Sequence, residues 1–219
     1  MAEAMGLRER KKRQTGQRIY RVAIDLFVER GFDDVSVQEI ADAAEVSKMT
    51  VFNYFHTKED LVFKPMEEHF ADAARAVRDR EPGESAVDAV RRQFLEMIEN
   101  RDPAIGLNPD PFAHRIRQLV LSTPVLTERA FLAAQRGARE LAALLAAETG
   151  DLMRATVVAA TLSAARNALI EEHHRRVAEG ESMDLIAAEA PARARAAFDL
   201  IDNGLRGYAV RESGGARDA

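Results

Sequence analysis

The chain of 219 residues is 47% hydrophobic and carries 31 basic against 36 acidic side chains, a formal net charge of −5. That length suits one large domain, or a small one joined to a medium one, with a substantial core. The absence of cysteine excludes thiol catalysis, disulfide staples and thiolate metal sites, and the overall acidity argues against a chain that coats nucleic acid indiscriminately.

Charge is unevenly placed. Residues 1–64 hold equal numbers of basic and acidic groups, so the remainder carries the whole negative balance. Arg8, Arg10, Lys11, Lys12, Arg13, Arg18 and Arg21 stand against Glu9 alone, a basic arm running into a helix. Apolar residues then recur at helical spacing almost everywhere, which predicts an all-α fold. Ile19, Val22, Ala23, Leu26 and Phe27 form one stripe, and Gly31-Phe32 stops that first helix near Arg30. Ser36 and Glu39 form a capping box, with Val35 and Ile40 as a hydrophobic staple, so a short helix runs from Val37 to about Ala44. Ser47 caps the next, with Val46 and Val51 as a second staple and Lys48 as its first residue.

Thr57 with Asp60 starts a longer helix, in which Pro65 predicts a kink or break at Lys64. Ser85 opens a helix with Val87, Val90, Phe94, Met97 and Ile98 on one face, stopping at Asp102-Pro103. After a loop to Pro111, Asp110 caps a helix to about Ser122, and Thr123-Pro124 begins a long one closing near Gly150. Asp151 caps a helix that ends at Gly180. An irregular segment is expected around Ser182 to Ala190, then a last helix from Pro191 to about Arg206 with Ala194, Ala197, Phe198, Ile201, Leu205 and Tyr208 in one stripe.

Two short helices joined by three residues make a helix-turn-helix, whose second helix enters the DNA major groove. At 100° per residue, Val51 and Phe55 face inward while Met49, Thr50 and Asn53 face outward. Asn bonds an adenine edge at two points, and Thr bonds a base or touches a thymine methyl. Phe52 and Tyr54 flank that face. Lys48 and the amides at the Ser47 cap point toward phosphate, as does Lys58, and Ser36 joins the set of candidate DNA contacts.

The run Val46-Ser47-Lys48-Met49-Thr50-Val51-Phe52-Asn53-Tyr54-Phe55-His56-Thr57-Lys58-Glu59-Asp60-Leu61 resembles the helix-turn-helix signature of the tetracycline-repressor-like (TetR) family, as do Ala23 to Phe27, Glu29 to Phe32 and Ser36 to Ala41 upstream. The motif resemblance spans roughly residues 15–65. It implies a homodimer on a near-palindromic double-stranded operator, usually a repressor, released when a small molecule enters the larger carboxy-terminal domain. Lys48, Thr50 and Asn53 would meet DNA, and Tyr54 and Lys58 phosphates. Met49 and Glu45 stand where the family often has Gly, and Phe52 where a Tyr commonly gives its hydroxyl to phosphate. If the turn needs φ > 0 at Glu45, the strain is on the order of 1 kcal/mol.

The expected division is a helix-turn-helix domain with its basic arm at 1–64, a helical effector and dimerisation domain at 65–210, and a frayed tail at 211–219. The helix from Asp151 carries no charge on any side between Ala155 and Ala165, which calls for cover on more than one face, by its own domain and by a twin subunit, together with the last helix. Phe94, Met97, Phe112, Ile116 and Phe131 are candidate effector contacts. Arg166 and Asn167, also candidate effector contacts, interrupt an apolar helix and, if buried, need partners across the dimer or in a cavity. No cofactor is expected, and His173 and His174 point apart, so no metal site is expected either. No stretch reaches the ~18 apolar residues of a membrane span, and no apolar leader follows Met1, so the expected place is the cytoplasm. An effector-independent regulator or an activator are the alternatives. An enzyme is not expected, since no catalytic or phosphate-binding motif is present.

Overall fold

A computed structural model describes residues 6–204, in which helices account for every regular element. Helix α1 (Leu7–Arg30) takes in the basic arm and ends at Gly31, where φ is +95° and Phe32 folds back on Phe27 with ring centroids 4.9 Å apart. Helices α2 (Val37–Ala43) and α3 (Lys48–Tyr54) follow, each started by the serine cap that the sequence placed there. Val51 and Phe55 are buried against Ile19, Ala23, Phe27 and Ile40, closing the core of a three-helix head.

Downstream, Asp60 donates its amide to the Thr57 hydroxyl, and a single turn, α4 (Asp60–Phe63), forms. The expected longer helix does not continue. At Lys64 the chain changes to a 3-10 helix that runs to Ala71 before α5 (Asp72–Arg78) resumes α-geometry. The break falls where Pro65 predicts it, because proline cannot bond to the Leu61 carbonyl. Its form, eight residues of 3-10, is unusually long for that geometry.

The body consists of α6 (Ala86–Glu99), α7 (Pro111–Ser122), α8 (Pro124–Thr149), α9 (Leu152–Ala178) and α10 (Met183–Asp202). Helices α8 and α9 make the most extensive contact, α10 lies on α6 and α9, and α5 lies on α6 and α8. Ser85, Asp110 and Asp151 all accept an amide of the first turn, as capping residues do. The expected irregular segment at 182–190 is helical instead, with Pro191 inside α10. Ile186, Ala190, Ala194 and Phe198 are all fully buried in one core, so packing on both sides of the proline offsets its lost hydrogen bond. The ends of the expected stripe, Leu205 and Tyr208, and the tail at 211–219 lie outside the described residues.

Two cores result. One holds α5, α6, α8, α9 and α10. The other is the head, and it extends past residue 64 to Ile116 and Leu119 of α7 and Leu126 of α8. Among the described residues no helix is long and apolar enough to cross a membrane.

Candidate DNA-reading surface and effector site

The first turns of α2 and α3 are fixed by short-range bonds. The Ser36 amide donates to the Glu39 carboxylate at 2.8 Å, and the Glu39 amide returns a bond to the Ser36 hydroxyl at 3.2 Å. The Ser36 backbone, the Ser36 hydroxyl and Arg30 together hold the Glu39 carboxyl down to about 2. At α3 the Thr50 amide donates to the Ser47 hydroxyl at 3.0 Å, and the two hydroxyls share a hydrogen bond of 2.8 Å. Between the helices, Glu45 adopts φ +52°, the left-handed turn anticipated for that position. Its amide and that of Val46 bond back to Asp42 and Ala41, which fixes the angle at which α3 leaves the turn.

Along α3, Lys48, Met49 and Asn53 are exposed, Met49 to 68%, while Thr50, Phe52 and Tyr54 are half-buried. Lys48, Met49 and Asn53 therefore stand clear of the head on one face. Thr50 has its hydroxyl engaged by Ser47 and keeps its methyl and one lone pair for an outside partner. Two side chains differ from the simple picture of phosphate contacts. The Tyr54 ring lies on α1 beside Gly16, where an added Cβ would come within 3.1 Å. Lys58 is folded back on the head, its Nζ 4.5 Å from the Phe32 ring centroid and 3.4 Å from the Asp33 carbonyl.

Contacts that the sequence did not foresee join head to body. Arg129 of α8 donates to the Asp60 carboxylate and, at 3.2 Å, to the Thr57 hydroxyl. Burial pushes the Asp60 carboxyl up, but bonds from Arg129 and the Thr57 backbone outweigh it and leave it below its ordinary value. The Lys64 ammonium donates to the Tyr54 carbonyl at 2.6 Å, tying the start of the 3-10 segment to the end of α3. On the other side Arg115 pairs with Asp25 at 3.0 Å, and Phe112 meets Tyr20 edge-on with centroids 5.6 Å apart. Partners 69 residues apart leave no local trace in a sequence, so Arg129 was not legible. Gly137 was passed over too, although a lone glycine inside a long helical pattern is a signal: a Cβ there would sit 2.0 Å from the Phe70 carbonyl oxygen of the 3-10 segment.

The expected effector residues do not form one lining. Phe94, Met97 and Arg166 lie together in the body core, with Phe94 fully buried. Phe112 and Ile116 belong to the head core, where α7 docks on α1. Phe131 is 60% exposed and Asn167 is exposed, so neither lines the interior of this subunit. Helical spacing could show that these residues were apolar or interrupted a stripe, but not which neighbour each face meets. A groove of about 780 Å³ between α6 and α10 and one of about 420 Å³ between α1 and α7 are both lined by other residues. His173 is buried and donates from Nδ1 to the Ile105 carbonyl at 3.0 Å, whereas His174 meets His114 edge-on. Among the described residues no three His, Asp, Glu or Cys side chains are placed to hold a metal.

A capped helix pair with a tight turn and an exposed second helix is a DNA-binding helix-turn-helix. The model of bacterial regulatory proteins of the tetR family matches residues 19–64. The proposed mycofactocin biosynthesis transcriptional regulator MftR of Mycobacterium tuberculosis is 31% identical over 202 residues, 90% of this chain and 93% of that protein. The HTH-type transcriptional regulator TcmR of Streptomyces glaucescens is 29% identical over 146 residues, which span 66% of this chain and 65% of TcmR. In fold, NalD, the secondary repressor of the MexAB-OprM multidrug efflux pump in Pseudomonas aeruginosa, superposes with a TM-score of 0.58 at 18% identity, covering 85% of this chain and 96% of NalD. The SmeT–triclosan complex gives 0.57 at 18% identity, covering 85% and 89%. The chain belongs to the TetR family of transcriptional regulators.

Proposed function

We propose that this regulator is a dimeric repressor that leaves its operator when a small molecule enters the body. The observation that carries the reading is the exposed α3 face of Lys48, Met49 and Asn53 on a head tied to α7 and α8 by Asp25–Arg115 and Asp60–Arg129. Asn53 and Thr50 read base edges, Met49 touches a thymine methyl, and Lys48 and the Ser36 and Ser47 caps meet phosphate. Exposed Arg8, Arg10, Lys11, Lys12 and Arg13 on α1 add sequence-independent attraction. Reading head and body divide near residue 64, at the start of the 3-10 segment.

A second copy supplies the matching half-site. The outer face of α9 supports that assembly, because Leu152, Met153 and Val157 are each more than half exposed on a helix whose other face is core. In a two-fold operator the spacing of the two α3 helices decides affinity, so a shift of α8 relative to α4 lowers it. The bound compound of SmeT is a property of that protein; for this chain we infer only that an effector acts through the same kind of body. The test is retardation of DNA from upstream of its own coding sequence by purified protein. Retardation reversed by extracts of small metabolites supports the reading, and retardation by the head's basic charge alone, equal on unrelated DNA, contradicts it.

A further inference from the structure

Two arginines of α9 are buried to the same degree, and their surroundings differ. Arg176 is 6% exposed and holds two carboxylates, Glu181 at 2.6 Å and Glu189 at 2.9 Å. Arg166 is 9% exposed and, among the described residues, holds none at hydrogen-bonding distance. Its Nη2 faces the Met97 sulfur at 3.6 Å, and among the described residues its nearest carboxylate oxygen is that of Asp72 at 3.9 Å and its buried Nε has no partner. Asp72 is already engaged twice, by Arg75 on one oxygen and by His69 Nδ1 at 3.2 Å on the other. Burial pulls the Arg166 guanidinium down from its ordinary value, with only partial relief from Asp72 and Asp102.

A guanidinium presents Nε and Nη2 along one edge, which is the edge a carboxylate meets with two parallel hydrogen bonds. In Arg166 that edge has no oxygen on it. The Met97 sulfur lies against Nη2, and Phe94 on α6 with Leu162 and Leu169, one turn either side on α9, belong to the same buried core. A buried cation lacking a full counterion is costly unless something else completes it. We propose that Arg166 is the anchor for an organic acid, whose carboxylate takes the Nε–Nη2 edge while an apolar body lies along Met97 and Phe94. The assignment rests on the effector reading above and adds the class of compound. It also supplies a route to the head, because drawing Arg166 toward a new anion loosens its contact with Asp72, the residue that opens α5 directly after the 3-10 segment.

The experiment uses the full chain and thermal unfolding in the presence of straight-chain carboxylates from butanoate to decanoate, each beside its primary amide. At a hundredfold excess over Kd an acid is expected to raise Tm by roughly 5 °C or more while its amide does not. Arg166→Met keeps the volume and removes the charge. It is expected to keep its Tm without ligand and to lose the response to acids. Arg166→Lys, which offers a point charge without the fork, should weaken the response at least tenfold and carries the comparison if the methionine variant does not fold. The proposal is overturned if no acid of the series raises Tm, if acids and amides act alike, or if the response survives in Arg166→Met. DNA retardation is scored separately on the same samples: acid binding without retardation would support the anchor and count against the regulator reading, and retardation without acid binding the reverse.

Discussion

Asn53 and Lys48 project from the same helix, and their chemistry separates them. Asn53→Ala is expected to cost ~1 to 3 kcal/mol of operator affinity, concentrated at particular base pairs. Lys48→Ala should weaken every sequence alike and lower the salt slope by about one unit, a contrast that titrations on operator variants at two ionic strengths read directly. Lys58 is different from both, since it packs on Phe27 and Phe32, and its loss acts on the head itself. His174 gives the residue scale a pH signature. Desolvation first, then Arg117, His114 and His173, push its imidazole down to about 3 from an ordinary 6.5. The unfolded chain therefore takes up a proton below about pH 6.5 that the fold refuses, and stability falls as pH drops from there toward 3. His174→Gln should flatten the loss of Tm between pH 7 and 5, leaving the contribution of His173, which burial shifts in the same direction.

Among the elements, those set by neighbours in sequence were legible and those set by distant partners were not. The caps Ser36, Ser47, Ser85, Asp110 and Asp151 each act within three residues, so the starts of five helices followed from spacing alone. Glu45 in the turn was marked by the family resemblance, which often has Gly there, and not by spacing. The continuation of α10 through Pro191 was not, because Ile186 and Ala190 are held by α6 and α9 and not by their own sequence. Periodicity marked the stripes of Phe112 and Phe131 without naming what covers them, and the exposed Asn167 has no place in the interior of this subunit. In the proposed mechanism communication passes through the 3-10 segment, and at Gly137 α8 leaves no room for a side-chain carbon against it. Gly137→Ala must move backbone, since the new carbon would meet the Phe70 carbonyl. We expect a loss of about 1 to 3 kcal/mol in urea unfolding and weaker operator binding, although residue 137 lies far along the chain from α3.

At the scale of the whole molecule, affinity for DNA depends on two heads held at one spacing. Among the described residues nothing covers the Leu152, Met153 and Val157 face of α9, and in the proposed dimer a second copy would bury it. Val157→Arg, a change at an exposed position, should leave helicity intact by circular dichroism yet sediment as a monomer. Operator affinity should fall at least a hundredfold with it, because a single head keeps only half of the contacts. Retained dimers would move the interface elsewhere.

Footprinting on DNA from upstream of the coding sequence, at modest ionic strength and with no added metabolite, puts the central claim to the most direct test. Two protected half-sites related by two-fold symmetry are expected, their centres about one helical turn or a whole multiple apart, with protection lost in Asn53→Ala at its own base pairs. Uniform coverage, a single unpaired half-site, or an unaltered footprint in Asn53→Ala would contradict it.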